Sequence, residues 1–565
     1  MAAADVGTRR GGVSSLYQRQ LEHYPDTGPR SGYLAITVLA TVMLYYELYV
    51  NSSVSTLILA KLHMSFSFLV VTLAFANLIG AFGSLLAGLT DRLGRTNLVV
   101  AGLGVTAVFV AFLFPLCNSK WPFTACLFAV GLVEGICLVA TPALIRDFSP
   151  QAGRATAMGF WTSGPVLGSL IVAVVASNTI GAHPSPAFWT HEFKICGIAG
   201  LIVFVLALIF MRELSPGLRD QLMVTMNDRA LIEARAKGID IEASLRSPFR
   251  QLAKPKIFVS AMGVSVMLLF YYTTVAFSII YLGTIFGFST KDANGLGNWA
   301  WGFNVLAVIG VGIFSDKIRV RKPFMLAGGI GAAVMLVLLV VQTGHPHTGY
   351  YHMAALLALT SFFLGVAYTP WMASYTETVE DVNPALTATG LAIWGWLIRV
   401  IVFLAFLLLP HVINTVNPLV NYGTQVQTLA AKYAPQLATA AAIHPDTLAT
   451  LSANPTNSAA IGQAVTQISG TQHVSSAQAV QNLIALSKVP KADLGYLQAH
   501  APAVQKAAKD TPGQWKDWYW ICFGGVIFFL LCVPLLKGHF SPAKAKADEE
   551  AHEAMVQQEM AKLHA

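Results

Sequence analysis

Twelve apolar runs, each close to the length of a bilayer crossing, limit what this chain can become. They fall near 33–55, 66–88, 97–117, 122–144, 156–179, 194–212, 257–284, 295–315, 323–342, 351–375, 388–411 and 518–536. A helix rises 1.5 Å per residue, so roughly 20 apolar residues cross the hydrocarbon core. That core offers no water to the backbone amides, so each run satisfies them internally as a helix. With 55% hydrophobic residues, 11% charged ones and a mean hydropathy of +0.59, the chain carries more apolar surface than a soluble core absorbs. The expected fold is an all-α integral membrane protein of twelve transmembrane helices.

Residues 1–32 are polar and reach the first run without a small-residue cleavage site, which reads as a cytoplasmic N-terminal tail and not a signal peptide. An even number of crossings places both termini on one side. Arg9, Arg10, Arg19 and Arg30, Arg92 and Arg95, Arg146 and Arg154, the stretch from Arg212 to Lys256, Lys317 to Lys322, and Lys537, Lys544, Lys546 and Lys562 all fall on that side. The other side holds little beyond Lys61, Lys120, Lys194 and Lys291. Basic loops stay in the cytoplasm, so the formal net charge of +8 reports orientation in the plasma membrane and not nucleic-acid binding. The six cysteines lie in or beside the runs without metal-ligand spacing, so no metal, cofactor or disulfide framework is expected.

The runs divide the chain into a six-helix bundle at 33–212, a cytoplasmic linker with an amphipathic helix at 213–256, and a second bundle at 257–411. The second bundle is completed by a last helix at 518–537, followed by a charged cytoplasmic tail at 538–565. Between them, 412–517 is rich in Ala, Thr, Gln, Asn and Ser and contains helix-like starts at HPDTLATL, SSAQAVQNL and KADLGYL. It reads as a small extracytoplasmic helical insertion over the outer vestibule.

The two bundles echo each other. Asp91, Arg92, Gly94 and Arg95 follow the second run, and Gly312, Asp316, Lys317, Arg321 and Lys322 follow the eighth. Tyr45-Tyr46-Glu47 stands opposite Tyr271-Tyr272-Thr273, and Ala140-Thr141-Pro142 opposite Tyr368-Thr369-Pro370. Such internal repeats are the mark of secondary transporters. With the loop after the second run, LTDRLGR, the chain resembles the major facilitator superfamily over all but the tails and the insertion. Ala87 replaces the first glycine of that family's loop pattern, and Arg319 takes a glycine position in the second copy. The resemblance implies two pseudo-symmetric six-helix bundles, with runs one, four, seven and ten around a central path. It also implies a gating role for Asp91, Arg92, Gly94, Arg95, Asp316, Lys317 and Arg321, whose charges can pair across to a neighbouring helix and release it. Gly164, Pro165 and Gly168 resemble the family's G-P-x-x-G element, with close helix packing as the equally open reading. Where the family often carries an arginine in the fourth helix this chain has Leu127, and Glu134 stands in GLVEG, as in some members that carry organic anions.

Three ionisable residues sit well inside runs: Glu47, Glu134 and Arg399. Charge at that depth is costly and marks function unless it serves packing alone. Burial and a neighbouring carboxylate both favour a protonated acid, so Glu47 and Glu134 are the candidate proton-coupling residues. Glu47, Asn51 and Ser55 recur every fourth residue and are expected to line the path as a polar stripe. Arg399 suits a carboxylate or phosphate, and either faces the cavity or pairs with an acid such as Glu134. Tyr46, Asn51, Tyr271, Tyr272, Tyr368 and Trp371 complete the expected substrate site.

The reading is a proton-coupled carrier of a small organic solute, an organic anion or metabolite, acting as a monomer by alternating access in the bilayer. Proton-antiport export of amphipathic compounds or drugs is the alternative. A membrane-anchored sensor or assembly protein needs neither the intramembrane acids nor the gating charges. An enzyme needs paired acids or histidines near an interface, and no such cluster is present in the sequence.

Overall fold

The computed structural model describes residues 19–85, 94–148, 154–182, 184–215, 248–382 and 387–564. Twelve helices in it are long and apolar enough to cross a membrane. Spans one to six are Thr27–Ser53, Phe66–Gly83, Arg95–Leu116, Lys120–Pro142, Thr162–Thr179 and Pro186–Phe210. Spans seven to twelve are Pro255–Phe286, Thr290–Ile318, Lys322–Gln342, Tyr350–Val379, Gly390–Val412 and Lys491–Leu535. The last of these helices begins well before the apolar stretch that starts near 518, so its start is not the start of a span. Exposed Phe82, Ile202, Ile313 and Leu531 are side chains that only a lipid solvent leaves uncovered without cost.

The chain forms two compact units, Met1–Asn414 with Gly513–Ala565, and Thr415–Pro512. In the first, packing rests on missing side chains. A Cβ on Gly135 of span four would overlap the carbonyl oxygen of Gly80 in span two, which draws the two backbones together. Gly197 of span six lies equally close to Ala111, inside the π-helical turn Phe109–Leu113 of span three. Span seven breaks at Leu268 between the helices Pro255–Met267 and Leu269–Phe286. Span twelve closes on its flank: Trp518 Nε1 donates to Thr273 Oγ1 at 3.0 Å, and Tyr281 packs on Trp515 and Tyr519 at 5.0 and 5.1 Å between ring centroids.

The end of the bundle that carries Arg95, Arg321 and Lys537, called here the basic end, is laced by ion pairs within each half. Arg95 reaches Asp147 at 3.2 Å, and the Glu213 carboxylate accepts from the backbone N–H of Arg95 at 2.8 Å, capping span three. Gln20–Leu21 runs parallel to Glu213–Leu214 as a two-residue ladder. In the second half, Arg321 pairs with Asp316 at 2.7 Å and Glu377 at 3.4 Å, and Asp381 with Lys537 at 2.8 Å and Lys256 at 3.3 Å. Arg95–Asp147 and Arg321–Glu377 join equivalent helix ends of the two halves. Gly94 and Arg319, the paired positions of the repeated loop, both take positive φ, 87° and 60°, with ψ of 130° and 25°.

The second unit has two apolar clusters, one around Leu429, Tyr433 and Leu497 and one around Ile443, Ile468 and Leu486. Its helices start where the chain offers a proline or a capping oxygen: Pro445 opens one, and Asn457 and Ser475 accept from Ala460 and Gln478 amides. Tyr433 donates to Asp493 at 2.7 Å.

Candidate functional site

A cavity of about 90 Å³ opens between the halves, lined from spans one, five, seven, eight, ten and eleven. Its aromatic wall is Tyr45, Tyr49, Tyr271, Tyr272, Tyr368 and Trp394, with Thr162 and Asn304 among the polar groups. Tyr45 and Tyr49 are four apart on span one and present one face, with ring centroids 5.6 Å apart. Tyr271 meets Tyr272 edge to face at 5.3 Å, and Tyr368 packs on Trp394 at 6.4 Å. The Trp394 indole N–H is buried with no hydrogen-bond partner, a donor held out of water at the cavity wall. A second, smaller cavity shares Tyr49 and reaches Ser52, Ser53 and Asn294 towards the end opposite the basic one.

Span five sets the position of Tyr45. A Cβ on Gly168 would come within 2.6 Å of Tyr45 Cβ, and one on Gly164 within 2.9 Å of Thr41. The glycines therefore let span one lie directly against span five, while Pro165 between them faces the cavity.

The expected substrate residues divide. Tyr271, Tyr272 and Tyr368 line the cavity. Trp371 does not; it is fully buried, stacks between Tyr368 and Tyr375, and donates its N–H to Ser260 at 3.3 Å. Tyr46 and Asn51 are also absent from the wall, and Asn51 donates to the Leu48 carbonyl of its own helix. Arg399 is half-buried beside Ile398, within electrostatic reach of Tyr45 and Tyr272. It sits at the margin of the cavity and not on its lining. It does not pair with Glu134, because neither Glu134 oxygen has a hydrogen-bond partner.

Glu47 corrects the expected stripe. Its carboxylate turns away from the cavity into the first bundle, where it fills the space left by Gly200 of span six; a Cβ at Gly200 would overlap Glu47 Oε1. Ala107 of span three is the next neighbour of that space. Glu47 and Glu134 are 3% and 2% exposed, all four of their oxygens lack a hydrogen-bond partner, and the two carboxyls lie within electrostatic reach of each other. The cause is helix rotation: Tyr45 and Tyr49 take the cavity face of span one, and Glu47 lies about 200° around the axis from Tyr45. Its counterpart Thr273 likewise faces span twelve of its own half, through Trp518.

Of the gating residues, Asp91 and Arg92 lie outside the described residues, as does the linker over 216–247. Arg95, Asp316 and Arg321 carry the ion pairs given above, and their partners Asp147 and Glu377 were not singled out in the sequence. Among the described residues no group of His, Cys, Asp or Glu is placed to hold a metal ion. Among the described residues, hydrogen bonds join the halves at the end opposite the basic one: Asn294 to the Ser53 carbonyl at 2.9 Å, Asn298 to Ser177 at 3.0 Å, and Thr56 with Thr290 at 3.3 Å.

The family model of the Major Facilitator Superfamily matches residues 37–406. The chain belongs to this superfamily of membrane transporters. Over 318 residues it is 26% identical to "Probable anion transporter 2, chloroplastic" of Oryza sativa subsp. japonica, covering 54% of this chain and 56% of that one. Over 345 residues it is 24% identical to "Sugar phosphate exchanger 3" of Gallus gallus, covering 56% and 65%. The chain thus spans less than two thirds of the length of these relatives. Among solved structures, a bacterial homologue of the human lysosomal transporter Spinster, inward-facing and unoccupied, superposes with a TM-score of 0.57 at 14% identity, covering 90% of this chain and 98% of that one. That likeness concerns the fold. The chain is a multi-pass membrane transporter and not an enzyme.

Proposed function

We propose that this transporter moves a small organic solute, an organic anion, across the plasma membrane by proton-coupled alternating access, with its basic end and both termini in the cytoplasm. The observation that carries the reading is the pair Glu47 and Glu134, buried in an apolar bundle without a hydrogen-bond partner. Two carboxylates cannot both stay charged there, so the pair holds protons. Glu47 shares span one with Tyr45 and Tyr49, so a change of its charge acts on the helix that forms part of the cavity wall. The Trp394 donor and the nearby Arg399 favour a ligand rich in acceptors, and the names of the relatives, a probable anion transporter and a sugar phosphate exchanger, point the same way. A second reading, proton-driven export of amphipathic compounds, draws on the aromatic wall and on Arg399 standing at its margin.

A thermal-stability screen against organic acids at two pH values finds the solute, since a ligand of the folded state raises its stability. Proteoliposomes loaded with that solute then test coupling. Wild type accumulates it along a pH gradient, and Glu47→Gln with Glu134→Gln keeps counterflow but loses accumulation. Accumulation that stays fully gradient-driven in the double variant removes the proposal, and the sign of the effective gradient separates import from export.

A further inference from the structure

Glu192, at the start of span six, is a third buried acid of the first half and has no part in the solute cavity. It is 1% exposed and accepts a hydrogen bond from Thr179 of span five at 2.5 Å, at the end opposite the basic one. Glu192, Cys196 and Gly200 stand four residues apart and form one face of span six, and Gly200 is where the Glu47 carboxyl enters. Tyr46 lies along this face: it is 3% exposed, its hydroxyl has no hydrogen-bond partner, and it is within electrostatic reach of Glu192 and Cys196. Cys196 in turn is within reach of Glu192, Glu47 and Glu134. None of these side chains lines either cavity.

We propose that protons reach Glu47 and Glu134 through the interior of the first bundle, along a line entered at Glu192 and relayed by the Tyr46 hydroxyl, apart from the path of the solute. The proposal rests on the proton-coupling reading of Glu47 and Glu134. A hydroxyl accepts on a lone pair as it gives up its own proton, so one transfer leaves Glu192 a carboxylate, Glu47 an acid and Tyr46 unchanged. The Tyr46 hydroxyl has no direct hydrogen-bond partner, so a bridging water closes each step.

Among the described residues, these groups face the line. Thr179 of span five and His191 of span six flank Glu192. Glu134 and Cys137 of span four and Ala107 of span three border the inner end. None of these inner groups is a cation, so nothing there traps the proton's departure as an ion pair. Separate routes have a mechanical use: the inter-half hydrogen bonds that hold the solute path shut at this end do not cross the line.

Infrared spectroscopy of the purified full-length protein tests this without a solute. The carboxylic-acid C=O band that disappears in Glu47→Gln with Glu134→Gln belongs to the pair, and its shift on transfer to D2O times the arrival of deuterons. The expected result is slowing on the order of a hundredfold in Glu192→Gln and in Tyr46→Phe, the scale of losing a positioned proton carrier, with the rate restored in Glu192→Asp. Exchange at the wild-type rate in both Glu192→Gln and Tyr46→Phe overturns the route and leaves the coupling reading standing. A wild-type protein with no such band at neutral pH overturns the coupling reading itself. Tyr46→Phe removes only one oxygen, so it serves even where the Glu192 variant does not fold.

Discussion

Asp381, just past the end of span ten, ties together the start of span seven and the chain after span twelve through Lys256 and Lys537. Burial pushes its carboxyl up, but the two ammonium groups outweigh this and hold it below the ordinary aspartate value. A depressed value in the folded state means the pairs stabilise the fold above the unfolded value and lose that effect as pH falls through the folded one. With its side chain 37% exposed, Asp381→Asn is expected to cost about 0.5 kcal/mol at neutral pH. The melting temperatures of variant and wild type should converge below about pH 4; a gap independent of pH contradicts the assignment. At this scale the sequence showed which residues are chemically unusual but not where they point. Glu47 was conspicuous because it is charged, yet its direction depends on the rotation of span one, which is set by Gly168 and Gly200 on two other helices. Extending the spacing from Tyr45, and not from Glu47, leads to Tyr49 and the true cavity face. Glu192 escaped notice because it lies at the edge of an apolar run, where acids are usually solvated.

Among the elements, span five acts through what it lacks. Gly164 and Gly168 bring span one into direct contact, and an added methyl at Gly168 has Tyr45 Cβ at 2.6 Å and the Tyr45 carbonyl carbon at 3.1 Å, parts of a helix that cannot swing aside. Gly168→Ala is expected to destabilise by about 1–3 kcal/mol, read as a lower melting temperature, while Gly181→Ala, with open space around it, should leave it unchanged. A loss at Gly168 no greater than at Gly181 refutes tight packing there. The helices themselves were legible from hydropathy alone, because a bilayer leaves a backbone so few options. The loop repeat was legible as well, and Arg319 keeps a positive φ of 60° where Gly94 has 87°, although their ψ angles, 25° and 130°, differ. Side-chain partners such as Asp147 and Glu377 were not legible, since pairing across helices leaves no periodic trace in one chain.

For the whole molecule, the described residues join the two halves by hydrogen bonds at one end. Asn294 and Asn298 supply two of the hydrogen bonds at the end opposite the basic one. Each is worth about 0.5–1.5 kcal/mol, so replacing both by Ala should raise the population opened at that end by roughly five- to a hundredfold. A Ser53→Cys reporter, whose backbone carbonyl still accepts from Asn294, should react correspondingly faster with a water-soluble maleimide. An unchanged rate means these bonds do not hold the end closed. Pseudo-symmetry made the two-bundle plan readable in advance, whereas the asymmetry that matters, buried acids in the first half and Arg399 beside the cavity in the second, became meaningful only with the packing known. The second compact unit, Thr415–Pro512, also has a bearing on biosynthesis. Trp515, Trp518 and Tyr519, which cover span seven, are made about 100 residues after span eleven, a delay of roughly 5–20 s at ordinary translation rates. Throughout that interval Thr273 and Tyr281 lack their neighbours on span twelve, so one flank of the second half of the nascent chain stays unfinished.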